Sequence, residues 1–136
     1  MVKVLRRVLE SVAVHAEESL PCECCGILLA QGKDLSAVSC ALTAKNTDRE
    51  WPQQRYSLGH QAHLRAVERE ASSDNRIVGY YHSHPDGGTQ PSRCDTTQAV
   101  VGVIYLIMGS GGRSIEWAAW RLVGNHFVRE SLEVIE

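Results

Sequence analysis

The sequence predicts an α/β fold, a single mixed β-sheet flanked by helices. Two kinds of segment alternate along its 136 residues. Residues 3–19 place apolar side chains at helical spacing, with charged residues between them. Short apolar runs such as Cys25–Ala30 and Ile77–Tyr81 instead have the length and composition of buried strands. The length is that of one domain, so we expect residues 1–136 to form a single domain.

The first helix is expected to end at Pro21, because proline disfavours the helical conformation of the residue before it. A turn at Gln31–Asp34 then separates the strand Cys25–Ala30 from a second strand at Ser36–Thr43. Because this turn is short, we expect the two strands to pair antiparallel.

A polar loop at Lys45–Ser57 comes next. Its length is at the upper end for a compact domain, which indicates a functional role. The second helix is predicted at Leu58–Ala71, and it ends at the polar residues that follow. The strand Ile77–Tyr81 then leads directly into His82.

Turn-forming residues divide the C-terminal part into one short helix and further strands. The segment Pro85–Pro91 contains two glycines and two prolines, so we expect it to turn sharply. The elements predicted after it are a helix at Ser92–Ala99 and strands at Val100–Met108, Ile115–Leu122 and His126–Val134.

Charge and hydropathy exclude several classes of function. A formal net charge of -2 gives no reason to expect a nucleic acid or an anionic membrane surface as partner. The longest apolar run is far shorter than the ~18 residues of a membrane span. The first ten residues lack the continuous apolar stretch and cleavage site of a secretion signal, so we expect a cytoplasmic protein. No feature of the sequence sets an oligomeric state.

The five cysteines do not form the pattern of a disulfide framework. Three of them, Cys22, Cys24 and Cys25, lie within four positions, where neighbours cannot all pair. The other two are Cys40 and Cys94. Reduced thiols in a reducing compartment fit this odd count better than disulfides.

The segment most indicative of function contains His82 and His84, then Ser92 and Asp95. One residue separates the histidines, so on a strand both rings lie on the same face, as two ligands of one metal ion require. The glycine- and proline-rich loop can bring Asp95 back toward them. Two histidines, one carboxylate and a water form a catalytic zinc site with an open position. Such a site also needs a base that takes the proton of the water.

Each part of this pattern also has a structural interpretation. A His-x-His pair alone is common on surfaces and in packed interiors. Ser92 and Asp95 have the spacing of a helix capping box, in which each side chain bonds the backbone N–H of the other. The metal-site interpretation depends on the occurrence of all four residues within 14 positions, directly after an apolar strand.

This segment resembles the JAMM (MPN+) metalloprotease motif. Seven residues separate His84 from Ser92 and two separate Ser92 from Asp95, which fits the family spacing without a gap. The family also has a glutamate just before the first strand, in a Pro-x-Glu-x-Cys-Gly-like phrase. Here Pro21-Cys22-Glu23-Cys24-Cys25-Gly26 supplies that glutamate as Glu23. The resemblance extends over nearly the whole chain and implies a cytidine-deaminase-like α/β fold.

The resemblance implies a role for each residue of the site. His82, His84 and Asp95 would bind one zinc ion. Glu23 would hold and deprotonate the water, then carry the proton to the leaving amine. Ser92 would donate a hydrogen bond to the oxyanion on the scissile carbonyl, a contribution of roughly 2.7–4 kcal/mol in comparable sites.

Three alternatives remain from the sequence. His15 and Glu17, followed by Pro21, Cys22 and Cys25, contain the letters of a zinc nucleobase deaminase, but only three residues separate the two halves. A structural zinc on the clustered cysteines lacks a fourth ligand. A non-catalytic scaffold of the same fold is the third, although such relatives lose motif residues that this chain keeps.

The resemblance is to the compact prokaryotic branch of the family, because the chain passes from Asp95 toward the next strand without room for an insertion. It implies a ubiquitin-like or sulfur-carrier protein as substrate, cut after its C-terminal Gly-Gly. The leaving group would be a cysteine, a longer C-terminal extension or a lysine side chain. An extended tail can pair with a strand edge. We expect Lys45–Ser57 to form one wall of its groove.

Overall fold

A computed structural model of the chain describes residues 1–112 and 114–136, with the backbone alone at 96–98. Eleven elements follow one another in these residues. They are β1 (Val2–Leu5), α1 (Arg6–Ser19), β2 (Cys25–Gln31), β3 (Ala37–Ala44), α2 (His60–Ser72), β4 (Asn75–His84), α3 (Arg93–Gln98), β5 (Ile104–Gly109), β6 (Glu116–Val123), β7 (His126–Glu130) and β8 (Leu132–Ile135).

The strands form one mixed sheet in the order β7-β6-β5-β4-β2-β3-β1-β8. The β2–β3, β2–β4, β5–β6 and β6–β7 pairs are antiparallel. The β1–β3, β1–β8 and β4–β5 pairs are parallel. The predicted α/β class with a mixed sheet and flanking helices is therefore confirmed, as is the antiparallel pairing of the first two predicted strands.

A single residue joins the two edge strands of this sheet. β7 and β8 lie at opposite ends of the strand order, yet only Ser131 separates them in sequence. Because consecutive Cα atoms are about 3.8 Å apart, one residue cannot cross a flat sheet of eight strands. The N–H of Val2 donates to the carbonyl of Ser131 at 2.8 Å. The sheet is therefore strongly curved, so that the end of β7 lies next to the start of β8.

The core is divided between the two faces of the sheet. One apolar cluster joins the buried face of α1 to side chains from β1 through β6. On the other face, α2 covers a smaller cluster that contains Ile27 and Leu29. Leu28 and Ala30, which alternate with these two, point into the α1 cluster. A fully buried Leu or Ile stabilises the fold by about 1.5–3 kcal/mol, so β2 is fixed from both sides.

The largest differences between the predicted elements and the structure concern three of them. The helix predicted over 3–19 is preceded by a strand, because Val2 and Val4 alternate into the core where β1 pairs with β3 and β8. The strand predicted at Val100–Met108 begins only at Ile104. The strand predicted at His126–Val134 is divided at Ser131, where the chain passes from one end of the sheet to the other.

Candidate metal centre

β4 carries the two histidines of the motif and presents both on one face. His82 pairs with Ile107 and His84 with Gly109 in the parallel ladder to β5, so both lie within the strand. Their Nε2 atoms are 3.2 Å apart. His82 is completely buried, whereas the side chain of His84 is 13% exposed. The predicted common face of the two rings is what the structure shows, with one ring open toward solvent.

The short helix α3 brings a carboxylate to the same point. Oδ2 of Asp95 lies 3.0 Å from Nε2 of His82 and 3.3 Å from Nε2 of His84. The same oxygen accepts the backbone N–H of Ser92 at 2.8 Å, and Oγ of Ser92 accepts the N–H of Asp95 at 3.0 Å. The capping box therefore forms and aims Asp95 at the histidines. The capping-box interpretation is thus what the structure shows, and it is compatible with a metal-ligating role for Asp95.

These three donor atoms fit a zinc ion. In tetrahedral zinc sites the nitrogen and oxygen ligands are about 2.0–2.2 Å from the ion, which places them about 3.3 Å from one another. The observed separations of 3.0–3.3 Å match that spacing. In addition, Nδ1 of His84 lies 3.1 Å from the carbonyl oxygen of Gly88. Because a carbonyl can only accept, Nδ1 carries the hydrogen, and the Nε2 lone pair of neutral His84 points at the cluster.

Glu23 completes a group of four side chains. It lies just before β2, is 4% exposed, and its Oε1 is buried without a hydrogen-bond partner. The ligand atoms of Glu23, His82, His84 and Asp95 all lie within 4.8 Å of one another. Among the described residues, Glu23 makes no ion pair with either histidine. This distance leaves room for one water molecule between the carboxylate of Glu23 and the other three side chains.

The pKa values of Glu23 and Asp95 are shifted in opposite directions by burial and by neighbouring groups. Burial raises the pKa of Glu23 to about 8, although His84 acts to lower it. Burial also opposes ionisation of Asp95, but its hydrogen bonds with His82 and His84 outweigh that effect and hold its pKa well below the usual range. In the metal-free group the pKa of Glu23 is therefore raised and that of Asp95 lowered. A carboxyl group with a raised pKa suits general acid–base chemistry, and an ionised carboxylate suits metal binding.

The histidines are shifted in opposite directions. Burial lowers the pKa of His82, because the charged imidazolium is disfavoured inside the protein. Burial also acts to lower the pKa of His84, but the neighbouring carboxylate of Asp95 outweighs it and the net shift is upward. His82 is therefore held neutral, the form that binds a metal.

The comparison with known proteins agrees with this geometry. The family model for prokaryotic homologs of the JAB domain matches residues 5–123. The chain belongs to this family. Desampylase from Haloferax volcanii is 34% identical to it over 115 residues, which cover 79% of this chain and 81% of that protein. The resemblance to the JAMM family, in its prokaryotic branch, is confirmed.

Solved structures show the same fold. Protein DSY2949 of Desulfitobacterium hafniense covers 100% of this chain and 94% of its own, with a TM-score of 0.88 at 22% identity. A structure described as JAMM, a metalloprotease-like zinc site in the proteasome and signalosome, covers 100% and 99%, with a TM-score of 0.61 at 19% identity. The predicted JAMM fold is thus confirmed. Family membership and the four-residue cluster together support a hydrolase with a metal-binding group.

The cysteines of this JAB-domain chain lie outside that group. Among the described residues, no second cluster of three or more metal-ligating side chains is found. Burial raises the pKa of Cys24 to about 11 and that of Cys25 to about 12, so both thiols are unreactive. His15, needed for the deaminase interpretation, instead bonds the hydroxyl of Tyr81 at 2.7 Å. The structure therefore gives no support to a cysteine-bound metal.

Three residues that support the site were not predicted. Ser83, between the two histidines, accepts the N–H of Cys24 on Oγ and donates its own N–H to the Cys24 carbonyl. Tyr56 stacks on His82 at 4.6 Å between ring centroids. Nδ2 of Asn46 lies 3.0 Å from the carbonyl oxygen of Glu23. Ser83 could have been expected, because a strand residue between two ligands must face the opposite side.

The loop predicted to line a groove does so. A cleft of about 280 Å³ adjoins the metal-ligating group and is lined by Glu23, His84 and Ser92. Gln53 and Gln54 from the loop form part of its wall. The remaining wall comes from the sharply turning segment after β4, where Gly87 and Gly88 adopt φ angles of 95° and 81° that favour glycine.

Proposed function

We propose that the protein is a zinc-dependent hydrolase that cleaves an amide bond after the C-terminal Gly-Gly of a ubiquitin-like or sulfur-carrier protein. The observation that carries the proposal is the buried carboxyl of Glu23, whose Oε1 has no hydrogen-bond partner among the described residues, beside a His82–His84–Asp95 cluster of zinc-like spacing. The relative named desampylase, whose name denotes removal of a ubiquitin-like modifier, supports the substrate class. Cytoplasmic location and a single domain over 1–136 belong to the same proposal.

His82, His84 and Asp95 would hold the zinc ion, which, when bound, polarises the scissile carbonyl and lowers the pKa of a coordinated water toward ~7. A nearby positive metal ion favours the ionised form of Glu23. This carboxylate takes the proton of the water on Oε1 and delivers it to the leaving amine. The high pKa of Glu23 in its buried position makes it a competent acid for the second transfer.

Ser92 donates its hydroxyl hydrogen to the oxyanion that develops on the carbonyl. The capping box fixes its side chain, because Oγ already accepts the N–H of Asp95. A donor held in this way needs no reorganisation during the reaction. The cap and the oxyanion contact use different parts of one hydroxyl group.

The lining of the cleft supports a peptide tail without side chains as its ligand. Three carboxamides line it, from Gln53, Gln54 and Gln90. Each carries a donor and an acceptor, so it can pair with main-chain amide groups, the polar groups that a Gly-Gly tail offers. A released cysteine, a longer C-terminal extension or a lysine side chain would leave on the far side of the scissile bond.

A conjugate with a Gly-Gly linkage tests the proposal. Chelation should abolish its hydrolysis, and added zinc should restore it. The Glu23→Gln variant should keep its zinc, measured by elemental analysis, while turnover falls by roughly 10²–10⁴-fold, the usual contribution of a general base.

Three results would contradict the proposal. Hydrolysis that persists after complete metal removal excludes a zinc mechanism. Loss of zinc from Glu23→Gln would make Glu23 a ligand and leave the reaction without its base. A protein that binds zinc fully and hydrolyses no such conjugate would instead agree with the non-catalytic scaffold.

A further inference from the structure

A second cleft lies at the opposite end of the sheet from the metal-ligating group. Its volume is about 400 Å³, and Asn75 at the start of β4 is among the residues that line it. Asn75 and His82 are seven positions apart on β4, which corresponds to about 23 Å along a strand. Its size is within the range of small-molecule sites. The cleft is therefore too remote to hold any part of the scissile bond.

Two arginines from different helices line this cleft. Arg7 projects from α1 and Arg69 from α2. Nη2 of Arg7 lies 3.4 Å from the carbonyl oxygen of Ser39, and Nη1 of Arg69 lies 3.9 Å from Sγ of Cys40. Because Ser39 and Cys40 are neighbours on β3, both guanidinium groups are directed to the same short stretch of strand.

Neither guanidinium has an acidic partner. Among the described residues, no carboxylate forms an ion pair with Arg7 or Arg69, and none lines the cleft. By contrast Arg6, adjacent to Arg7, pairs with Glu136 at 3.0 Å. Two positive charges directed at one cleft repel each other unless an anion lies between them. The protein as a whole has a formal charge of -2, so this concentration of positive charge is local.

The uncharged lining consists largely of hydrogen-bonding groups. Ser11 on α1 and Ser39 on β3 contribute hydroxyl groups, and Asn75 contributes a carboxamide. All of these can donate to an oxyanion. The outer edge of β3 is available at this point, because its pairing with β1 ends at Val38.

We propose that this cleft binds a small molecule with two or more anionic groups, phosphate or carboxylate, held between Arg7 and Arg69. The guanidinium fork matches the oxygen pairs of both groups. The hydroxyl and carboxamide groups complete the shell around the ligand. This binding site is separate from the metal-ligating group and does not depend on the proposed hydrolase activity.

Titration of the ¹⁵N-labelled protein, without added zinc, with pyrophosphate and, separately, with citrate tests the proposal, because both anions would chelate a zinc ion. Binding should shift the amide signals of Ser11, Ser39 and Asn75 and leave that of Gly88, beside the metal-ligating group, in place. The two titrations distinguish a phosphate site from a carboxylate site. Binding should weaken as salt is added, because the arginines are exposed.

Arginine variants test which positive charges bind the anion. The double variant Arg7→Gln, Arg69→Gln should weaken binding by at least about tenfold, since each lost contact is a charge-assisted hydrogen bond. Arg65→Gln is the matched control: Arg65 is on the same helix and bonds the Thr43 carbonyl, but it does not line the cleft. The double lysine variant keeps the charge and loses the fork, so it should bind with intermediate strength.

Several outcomes would overturn the proposal. Binding of neither anion at millimolar concentration excludes the site. An equal loss in Arg65→Gln would show attraction to general surface charge. Shifts confined to Gly88 and its neighbours would place the anion at the metal-ligating group instead. Thermal unfolding of each variant shows whether its fold is intact, and a variant that unfolds early is replaced by the corresponding lysine change.

Discussion

Single residues of this protein take part in two structures at once. Oδ2 of Asp95 caps α3 and also contacts both histidines. Ser92 caps the same helix beside the proposed oxyanion position. Because the cap aligns the two side chains before any ligand binds, little conformational entropy is lost at the site when the metal arrives. The cap thus holds both side chains in the position that their proposed chemical role requires.

His15 gives a prediction about pH at this scale. Burial lowers its pKa, although Glu18 acts to raise it, and its Nδ1 bonds the hydroxyl of Tyr81. A histidine held neutral in the fold takes up a proton more readily when unfolded. Its contribution to stability is therefore complete above the unfolded pKa of about 6.5 and is lost as the pH falls through the lower folded value.

The His15→Asn variant removes this titration and keeps a polar atom near Tyr81. The free energy of unfolding of the variant, relative to the native protein, should therefore rise as the pH falls from about 7 to 5. Denaturant unfolding at each pH measures it. The exposed His126→Asn variant is the control. A constant difference for His15→Asn across this range would show that His15 does not resist protonation in the fold.

At the scale of elements, glycines set the distances between strands. A Cβ on Gly79 would lie 2.0 Å from the carbonyl oxygen of Ile104, on the neighbouring strand β5. Gly79→Ala should therefore separate β4 from β5 and destabilise the protein by about 1–3 kcal/mol, as overpacked cores do. Gly112→Ala is the control, since no atom lies within 4 Å of its Cβ. Equal unfolding midpoints for the two variants would contradict this account.

Asn46 joins several parts of the loop between β3 and α2 and ties that loop to Glu23. Nδ2 of Asn46 lies within 3.3 Å of the carbonyl oxygens of Glu23, Pro52 and Arg55. Asn46→Asp keeps the Oδ1 acceptor but places an anion against three carbonyl groups. We expect turnover to fall with zinc content unchanged, because the backbone of Glu23 loses its support.

Thr47→Val is the control for this loop, since it removes only the side-chain bond to the Ser57 carbonyl. If both variants lose turnover equally, the loop acts through its general order. If neither does, the position of Glu23 is set by β2 and by the bond from its N–H to the Pro52 carbonyl.

The sequence predicts these elements unevenly, for physical reasons. Local signals identify α1, α2 and β2, where periodicity and turn residues act over a few positions. β1 depends on pairing with β3 and β8, which no local pattern contains, so Val4 was placed in the helix. Val100, Val101 and Val103 are β-branched, but none of the three is fully buried and Val101 is 62% exposed. The motif spacing identifies the metal-ligating group, whereas Tyr56 and Asn46 follow only from tertiary packing.

For the whole molecule, the candidate metal centre joins distant parts of one curled sheet. Glu23 precedes β2, the histidines belong to β4, and Asp95 lies on α3. These side chains converge only in the folded chain, so zinc should bind the folded state much more tightly than the unfolded one. The stabilisation should follow RT ln(1 + [L]/Kd), about 2.7 kcal/mol when free zinc is a hundredfold above its dissociation constant.

The rise in unfolding temperature with added zinc therefore measures how tightly the folded protein binds zinc. Asp95→Asn should lose most of this rise, because the amide can still cap α3 but is a poor zinc ligand. Glu23→Gln should keep it, because Glu23 is assigned as base. Equal rises in Asp95→Asn and the native protein would mean that Asp95 only caps the helix. Thermal scans at fixed free zinc thus separate the ligand, the cap and the base without any substrate.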